Sequence, residues 1–255
     1  MKIRHYVIIG VASYLLFLIA NIPAATALGW AGKEQLPFQA YGVNGTVWRG
    51  SADTVLAQNQ RLDDITWNIH PLSLLVARLN ADVQARIFGE TALSEVSVNL
   101  LTSSVEAENL RLQLPAKTLQ KQLKLPMGEL DGDFNMRIDT LLWEPQVLLP
   151  AIEGVVNWRD ARFTLAIPVE LGQVNLELTN GENGKLNGIV NNDGGKVRIS
   201  GTIEINEQGL YQLQATLKPN ADAPPQIAET LKMFARSNRN GEFEFSQQGD
   251  INKLY

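Results

Sequence analysis

Cysteine is absent from all 255 residues of this chain. That absence excludes disulfides, thiolate zinc sites, iron–sulfur clusters and cysteine nucleophiles together, and also the lipid-modified cysteine of a bacterial lipoprotein. Histidine is nearly absent: there are two, His5 and His70. A basic cluster is missing too. Lys and Arg number 22 against 27 Asp and Glu, a net charge of −5. Nucleic acid needs clustered positive charge, so it is excluded as a partner. No Gly-x-Ser-x-Gly, His-Glu-x-x-His or Gly-Lys-Ser/Thr sequence occurs. Gly184-Lys185 and Gly195-Lys196 are followed by Leu186 and Val197 and read as hairpin turns, not phosphate loops. His70, alone before Pro71, reads as structural. Asp63 and Asp64 are adjacent and would point to opposite faces of a strand, while Asp131 and Asp133 supply too few oxygens for calcium. Asn44-Gly45-Thr46 is a formal glycosylation sequon and no more. The residues therefore point to no catalytic group, metal or cofactor, and the chain reads as not an enzyme.

What is present begins with a long apolar run. From Tyr6 to Ala31 there is no charged side chain, and Val7 to Leu28 forms the apolar stretch. As a helix those residues span roughly 30 Å, the thickness of a bilayer's hydrocarbon core. Lys2 and Arg4 precede the run, which places the N-terminus in the cytoplasm and the rest outside it. Trp30 falls where an interfacial aromatic belongs, and Pro23 would kink the helix near its end. A second reading is a cleaved signal peptide, with Ala25-Thr26-Ala27 as the small-x-small site and Leu28 as the mature start. The apolar stretch is longer than the usual roughly 7–15 residues of such a peptide. Both readings export the remainder.

After Tyr41 the pattern is period two. Apolar residues alternate at Val83, Ala85 and Ile87, at Val96, Val98 and Leu100, at Leu110, Leu112 and Leu114, and at Phe134, Met136 and Ile138. The alternation continues at Val174, Leu176 and Leu178, at Val197 and Ile199, and at Tyr211, Leu213, Ala215 and Leu217. Each set occupies one face of a strand whose other face is polar, the signature of an antiparallel sheet. Asn180-Gly181, Asn183-Gly184, Asp193-Gly194 and Asn240-Gly241 suit tight hairpins, so a meander is expected. Three stretches predict short amphipathic helices that cap or cover the sheet: Pro71 to Leu79, Ala116 to Leu125, and one opening at Ala223-Pro224-Pro225 with the stripe Ile227, Leu231 and Phe234.

An apolar-x-Gly-x-apolar motif recurs around Gly45, Gly132, Gly154, Gly188 and Gly201. Glycine weakens a strand, so its repetition on an apolar face needs a reason. Curvature is one, since glycine lets a long sheet bend; room for an apolar ligand is another. Trp67 shares a face with Ile65 and Ile69, and Trp158 with Gly154 and Val156. These two tryptophans and the five glycines are the candidate lining of an apolar groove.

Several segments together resemble a known family. After the apolar run comes Gly42-Val43-Asn44-Gly45-Thr46-Val47-Trp48-Arg49-Gly50-Ser51-Ala52, then Ile65-Thr66-Trp67-Asn68-Ile69-His70-Pro71-Leu72-Ser73-Leu74-Leu75. Glu153-Gly154-Val155-Val156-Asn157-Trp158-Arg159 and Asn238-Arg239-Asn240-Gly241-Glu242-Phe243 follow. In order and spacing the chain resembles the type II secretion system protein N family, also called general secretion pathway protein N, over nearly its whole length. The resemblance implies a non-enzymatic accessory or assembly part of the machine that exports folded proteins across the outer membrane of Gram-negative bacteria. It implies an inner-membrane, single-pass protein facing the periplasm, with inner-membrane components of the machine and the secretin as partners. The expected layout is a cytoplasmic 1–6, a transmembrane anchor at 7–28, a linker at 29–40 and a periplasmic β-rich domain at 41–255. The expected fold class is mainly β: the transmembrane helix, then a curved, largely antiparallel sheet with a few short amphipathic helices. At the level of architecture the chain is also similar to AsmA-like proteins, which implies a rival function, binding or transfer of lipid or another amphipathic ligand.

Overall fold

The computed structural model describes residues 3–31, 38–57, 60–123, 128–165, 167–181 and 184–253. The chain divides into two compact units, Met1–Leu101 and Thr102–Tyr255. Both are built mainly of β-strands, and every strand pair described is antiparallel.

The first unit opens with helices α1 (Ile3–Ala20) and α2 (Ala24–Ala31). The sequence predicts one helix across 7–28, but the chain breaks between these two. Pro23 has no N–H and disfavours helix at the residue before it, so the helix stops short of it. Asn21 closes the last turn of α1: its backbone N–H and its Nδ2 both donate to the Phe17 carbonyl, at 3.2 and 2.8 Å. Among the described residues no helix is long and apolar enough to cross a membrane. The strands are β1 (Phe38–Tyr41), β2 (Asn44–Gly45), β3 (Arg49–Ala57), β4 (Gln60–His70), β5 (Arg78–Ile87) and β6 (Glu90–Asn99). β1 and β2 both pair with β3, and β3 to β6 follow each other as a meander. Ala52, Ile65, Ala81, Ala85 and Ala92 are the buried side chains of its apolar face, in line with the period-two pattern. Pro71 to Val76 forms a 3-10 turn rather than a helix to Leu79. Ala77 closes it in the left-handed region, at φ 53°, and Leu79 already belongs to β5. No residue of that turn is buried, so its leucines cover nothing within the unit.

The second unit contains β7 (Val105–Pro115), α3 (Ala116–Leu123), β8 (Glu129–Trp143), β9 (Ala151–Thr164), β10 (Pro168–Asn180), β11 (Leu186–Asp193), β12 (Val197–Ile205) and β13 (Leu210–Pro219). Then come α4 (Pro225–Leu231), β14 (Arg236–Ser237) and β15 (Phe243–Asp250). Chain neighbours pair from β7 to β13; β15 then pairs with β13, and β14 with β15. The predicted helix at 116–125 is α3; Lys124 to Pro126 lie outside the described residues, as does Asn183 of one predicted turn. Bulges interrupt the ladders. Register shifts occur at Asp131/Asp133 and on both sides of Gly172, with Gly132 at φ 102° and Asp160 at φ 49°. Such insertions bend and twist a strand, which favours curvature as the reason for at least the glycine at 132. A Cβ there would lie 2.3 Å from the Arg159 carbonyl.

The core of this unit lies under α4. Val169, Val197, Ile227, Leu231, Ala235 and Phe243 are its buried members. Ile227 and Leu231 are the inner part of the predicted stripe, while Phe234 stands at the rim, edge-on to Phe245 at 6.2 Å. Asn192 locks the turn beside this core. Its amide donates to the Leu171 carbonyl at 2.6 Å and to that of Val197 at 2.7 Å, and its oxygen accepts from Ile199 N at 2.6 Å.

Truncating Ile227 to Ala should therefore destabilise the second unit by about 2–5 kcal/mol, the range for large-to-small changes in a packed core. Leu75→Ala, in the exposed 3-10 turn, should change stability by no more than about 0.5 kcal/mol. Urea unfolding of the two variants checks both expectations.

Candidate functional site

The seven residues singled out in the sequence divide between the units. Gly45 and Trp67 are in the first; Gly132, Gly154, Gly188, Gly201 and Trp158 are in the second. In the second unit neighbouring atoms crowd the glycines. A Cβ on Gly188 would come within 2.4 Å of Ile203 Cγ2 and 2.9 Å of Leu176 Cδ1; those on Gly154 and Gly201 would meet the backbone carbonyls of Arg137 and Gln214 at 2.5 and 2.6 Å. Trp158 stacks on Phe134, ring centroids 5.1 Å apart, and its Nε1 donates to the Asp131 carbonyl at 2.9 Å, beside the bulge at Gly132. Gly201 lies in a depression shared with the polar Ser200, Thr202 and Gln214.

Trp67 has different surroundings. It lines a groove of about 640 Å³ in the first unit, between α2 and the apolar face of the sheet. Ala24, Ala27 and Leu28 of α2 form one wall; Ile65, Trp67 and Ile69 of β4 form part of the other. Every lining side chain is apolar apart from the indole N–H of Trp67, which donates to the Val47 carbonyl at 2.9 Å. Size and lining suit an apolar ligand. Small side chains on both walls, Ala24, Ala27, Ala52 and Ala81, account for the space.

Sequence reasoning placed Trp67, Ile65 and Ile69 on one face but missed α2 as the opposite wall. The clue lay in the run itself: Ala24-Ala25-Thr26-Ala27 is poorer in large apolar groups than the residues before Asn21. Reasoning from the sequence also missed the attachment of α1. Trp48 Nε1 donates to the Ile19 carbonyl at 2.8 Å, Val47 N donates to the Ile22 carbonyl at 3.0 Å, and Pro23 bridges to Thr46. Two adjacent residues of the unit thereby hold the last turn of α1 and the break after it.

Charge plays no part in the groove. Asp82 lies on β5, at the end of the sheet where β4 enters the 3-10 turn. It accepts from Asn68 Nδ2 at 3.3 Å and lies 3.0 Å from His70 Nε2. Asp63 is paired with Arg61 at 2.9 Å and Asp64 with Arg86 at 2.6 Å, while Asp131 faces Arg162 and Lys117. Asp63, Asp64 and Asp131 thus sit in surface ion pairs. Among the described residues no group of three or more His, Asp or Glu could hold a metal ion.

The Asn68 amide, followed by His70, holds the Asp82 carboxyl below its ordinary value of 3.8. A depressed folded-state value stabilises the fold above the unfolded pKa, and that contribution fades as pH falls through the folded value. Asp82→Asn should therefore show a stability deficit that is constant above about pH 5 and shrinks below about pH 4. Urea midpoints measured across that range check it.

Comparison with known proteins gives a consistent result. Residues 37–246 match the family described as type II secretion system (T2SS), protein N. The chain is 28% identical over 246 residues to the type II secretion system protein N of Vibrio cholerae serotype O1, covering 92% of this chain and 93% of the relative. It is 24% identical over 243 residues to the protein of the same name from Aeromonas hydrophila, covering 94% and 95%. No solved structure was found to match. With the match running from β1 to β15 and both relatives aligned almost end to end, this chain belongs to the type II secretion system protein N family.

Proposed function

We propose that the protein is a non-enzymatic accessory component of the type II secretion machine, held in the inner membrane by α1, with its β units in the periplasm. The observation that carries this reading is the family match over 37–246. Inner-membrane components of the machine, and the secretin, are its partners in this proposal.

The anchor reading is supported by α1 itself. Its side chains from Tyr6 to Ile19, including Ile8, Phe17 and Leu16, are exposed on every side of the helix. Water is a poor solvent for such a surface and lipid a good one. The uncharged part, Tyr6 to Ala20, rises about 22 Å, short of the roughly 30 Å core. A short apolar helix is accommodated by local thinning of the bilayer and by snorkelling of flanking residues. Cleavage after Ala27 would cut within α2 and discard the Ile22 carbonyl and the buried Ala24 that bind the sheet unit, which favours retention.

The rival reading, binding of an amphipathic ligand, has the groove of the first unit in its favour and draws nothing from the relatives. Native mass spectrometry of the detergent-released protein separates the two: a stoichiometric lipid adduct lost on Ala27→Trp, which fills the groove, would favour the rival.

Three outcomes are expected of the main proposal. Cross-linking of cell envelopes followed by pull-down of this chain should recover other components of the secretion machine; recovery of none, in cells that assemble the machine, would overturn it. The wild-type protein should remain in the carbonate-washed membrane fraction with its original N-terminus, whereas a mature chain starting at Leu28 would end the anchor reading. Val11→Arg, costing about 2.5–3.5 kcal/mol near the centre of α1, should reduce membrane retention sharply.

A further inference from the structure

One end of the first unit carries large apolar side chains that nothing in the unit covers. Leu72, Leu75 and Val76 of the 3-10 turn are 78%, 84% and 70% exposed, and Leu101 is 82% exposed. The Leu100 N–H donates to the Ala77 carbonyl at 2.9 Å, which ties the end of β6 to the close of that turn. These residues therefore belong to one end of the β4–β5–β6 meander.

The same end holds α1. The Ile19 carbonyl accepts from Trp48 Nε1, and the Trp48 carbonyl accepts in turn from Ile69 N at 2.6 Å. Pro71, two residues on, opens the 3-10 turn. Two hydrogen bonds thus connect the last turn of the apolar helix to the strand that delivers the exposed leucines. Charge follows the same geography. In a chain with 27 carboxylates, none occurs between Asp64 and Asp82 or between Glu95 and Glu106, while Arg49 and Arg78 flank the end.

The geometry points to this end of the unit as a second membrane contact: Leu72, Leu75, Val76 and Leu101 enter the lipid surface around the point where α1 leaves it. The inference rests on the membrane placement of α1 proposed above. That placement brings the end of the unit to the bilayer, because Trp48 and Val47 grip Ile19 and Ile22 with no free linker between. The shortness of α1 draws the end further in. Exposed leucines gain by leaving water, and Arg49 and Arg78 suit an anionic headgroup layer, while Asp82, the carboxylate that borders this end, lies 3.0 Å from His70 Nε2.

The absence of native cysteine makes the test direct. Single-cysteine variants of the full chain, Leu75→Cys, Leu101→Cys, Leu16→Cys and Phe88→Cys, are labelled with a nitrobenzoxadiazole fluorophore. They are reconstituted in phosphatidylethanolamine–phosphatidylglycerol vesicles containing doxyl-labelled phosphatidylcholine. Leu16 reports on α1, and Phe88, at the β5–β6 hairpin, on the far end of the unit. Labels at Leu75 and Leu101 should show blue-shifted emission and quenching, with neither at Phe88. Quenching at Leu16 without quenching at Leu75 and Leu101 overturns the second contact and leaves the anchor standing. Quenching at Leu75 and Leu101 without Leu16 supports the contact and overturns the anchor. Quenching at none of the three overturns both, and equal quenching at Phe88 overturns the specificity of the contact.

Discussion

Antiparallel pairing, mostly between chain neighbours, leaves one apolar face in each unit, and that face must be covered. Backbone hydrogen bonds are satisfied locally within the ladders, so what distinguishes the two units is the cover. In the second, α4 lays Ile227 and Leu231 over Val197 and Phe243, and a packed core results. In the first, the cover is α2, whose Ala24 and Ala27 are too small to fill the space above Ile65 and Trp67. The groove is the consequence of that mismatch in side-chain volume. A helix of alanines over a sheet rich in alanine leaves a gap where larger residues would close it.

Bulges are the second determinant. Gly132, Asp160 and Gly172 fall on three consecutive strands, and the partners skip register beside them. Trp158 then caps the bulge through its bond to the Asp131 carbonyl, with Phe134 stacked against it. The recurrent glycines thus act in different ways. Gly132 permits a backbone conformation closed to other residues, while Gly188 permits the close approach of Ile203 and Leu176.

The link between α1 and the first unit joins the fold to function. A helix tethered by a free linker would leave its domain indifferent to the membrane. Here the grip of Trp48 and Val47 makes the orientation of the unit a consequence of the orientation of the helix. The exposed turn at Pro71–Val76 and the chain at Leu100–Leu101 acquire meaning from that link. As isolated surface leucines they would be unremarked; under the proposed membrane placement of α1 they lie at the end of the unit to which that helix is bonded.

Much of this protein was determined by sequence alone, because period-two alternation reports directly on which face of a strand is buried. Ala81 and Ala85, Val197 and Ile199, and the stripe Ile227–Leu231 all follow from spacing. The ordered Gly-Trp segments that carry the family resemblance were legible in the same way. Tertiary structure decided the rest, since it depends on contacts distant in the chain. Nothing in 71–79 reveals that a left-handed Ala77 ends the turn before Leu79. Nothing in 7–28 alone reveals that α2 turns back onto the sheet after Pro23 instead of continuing α1. Register shifts at Gly132 are properties of two strands at once, so one strand's pattern does not contain them. The grip of Trp48 on Ile19, twenty-nine residues away in sequence, is set by how the β2–β3 corner folds over the helix end, which local pattern does not encode.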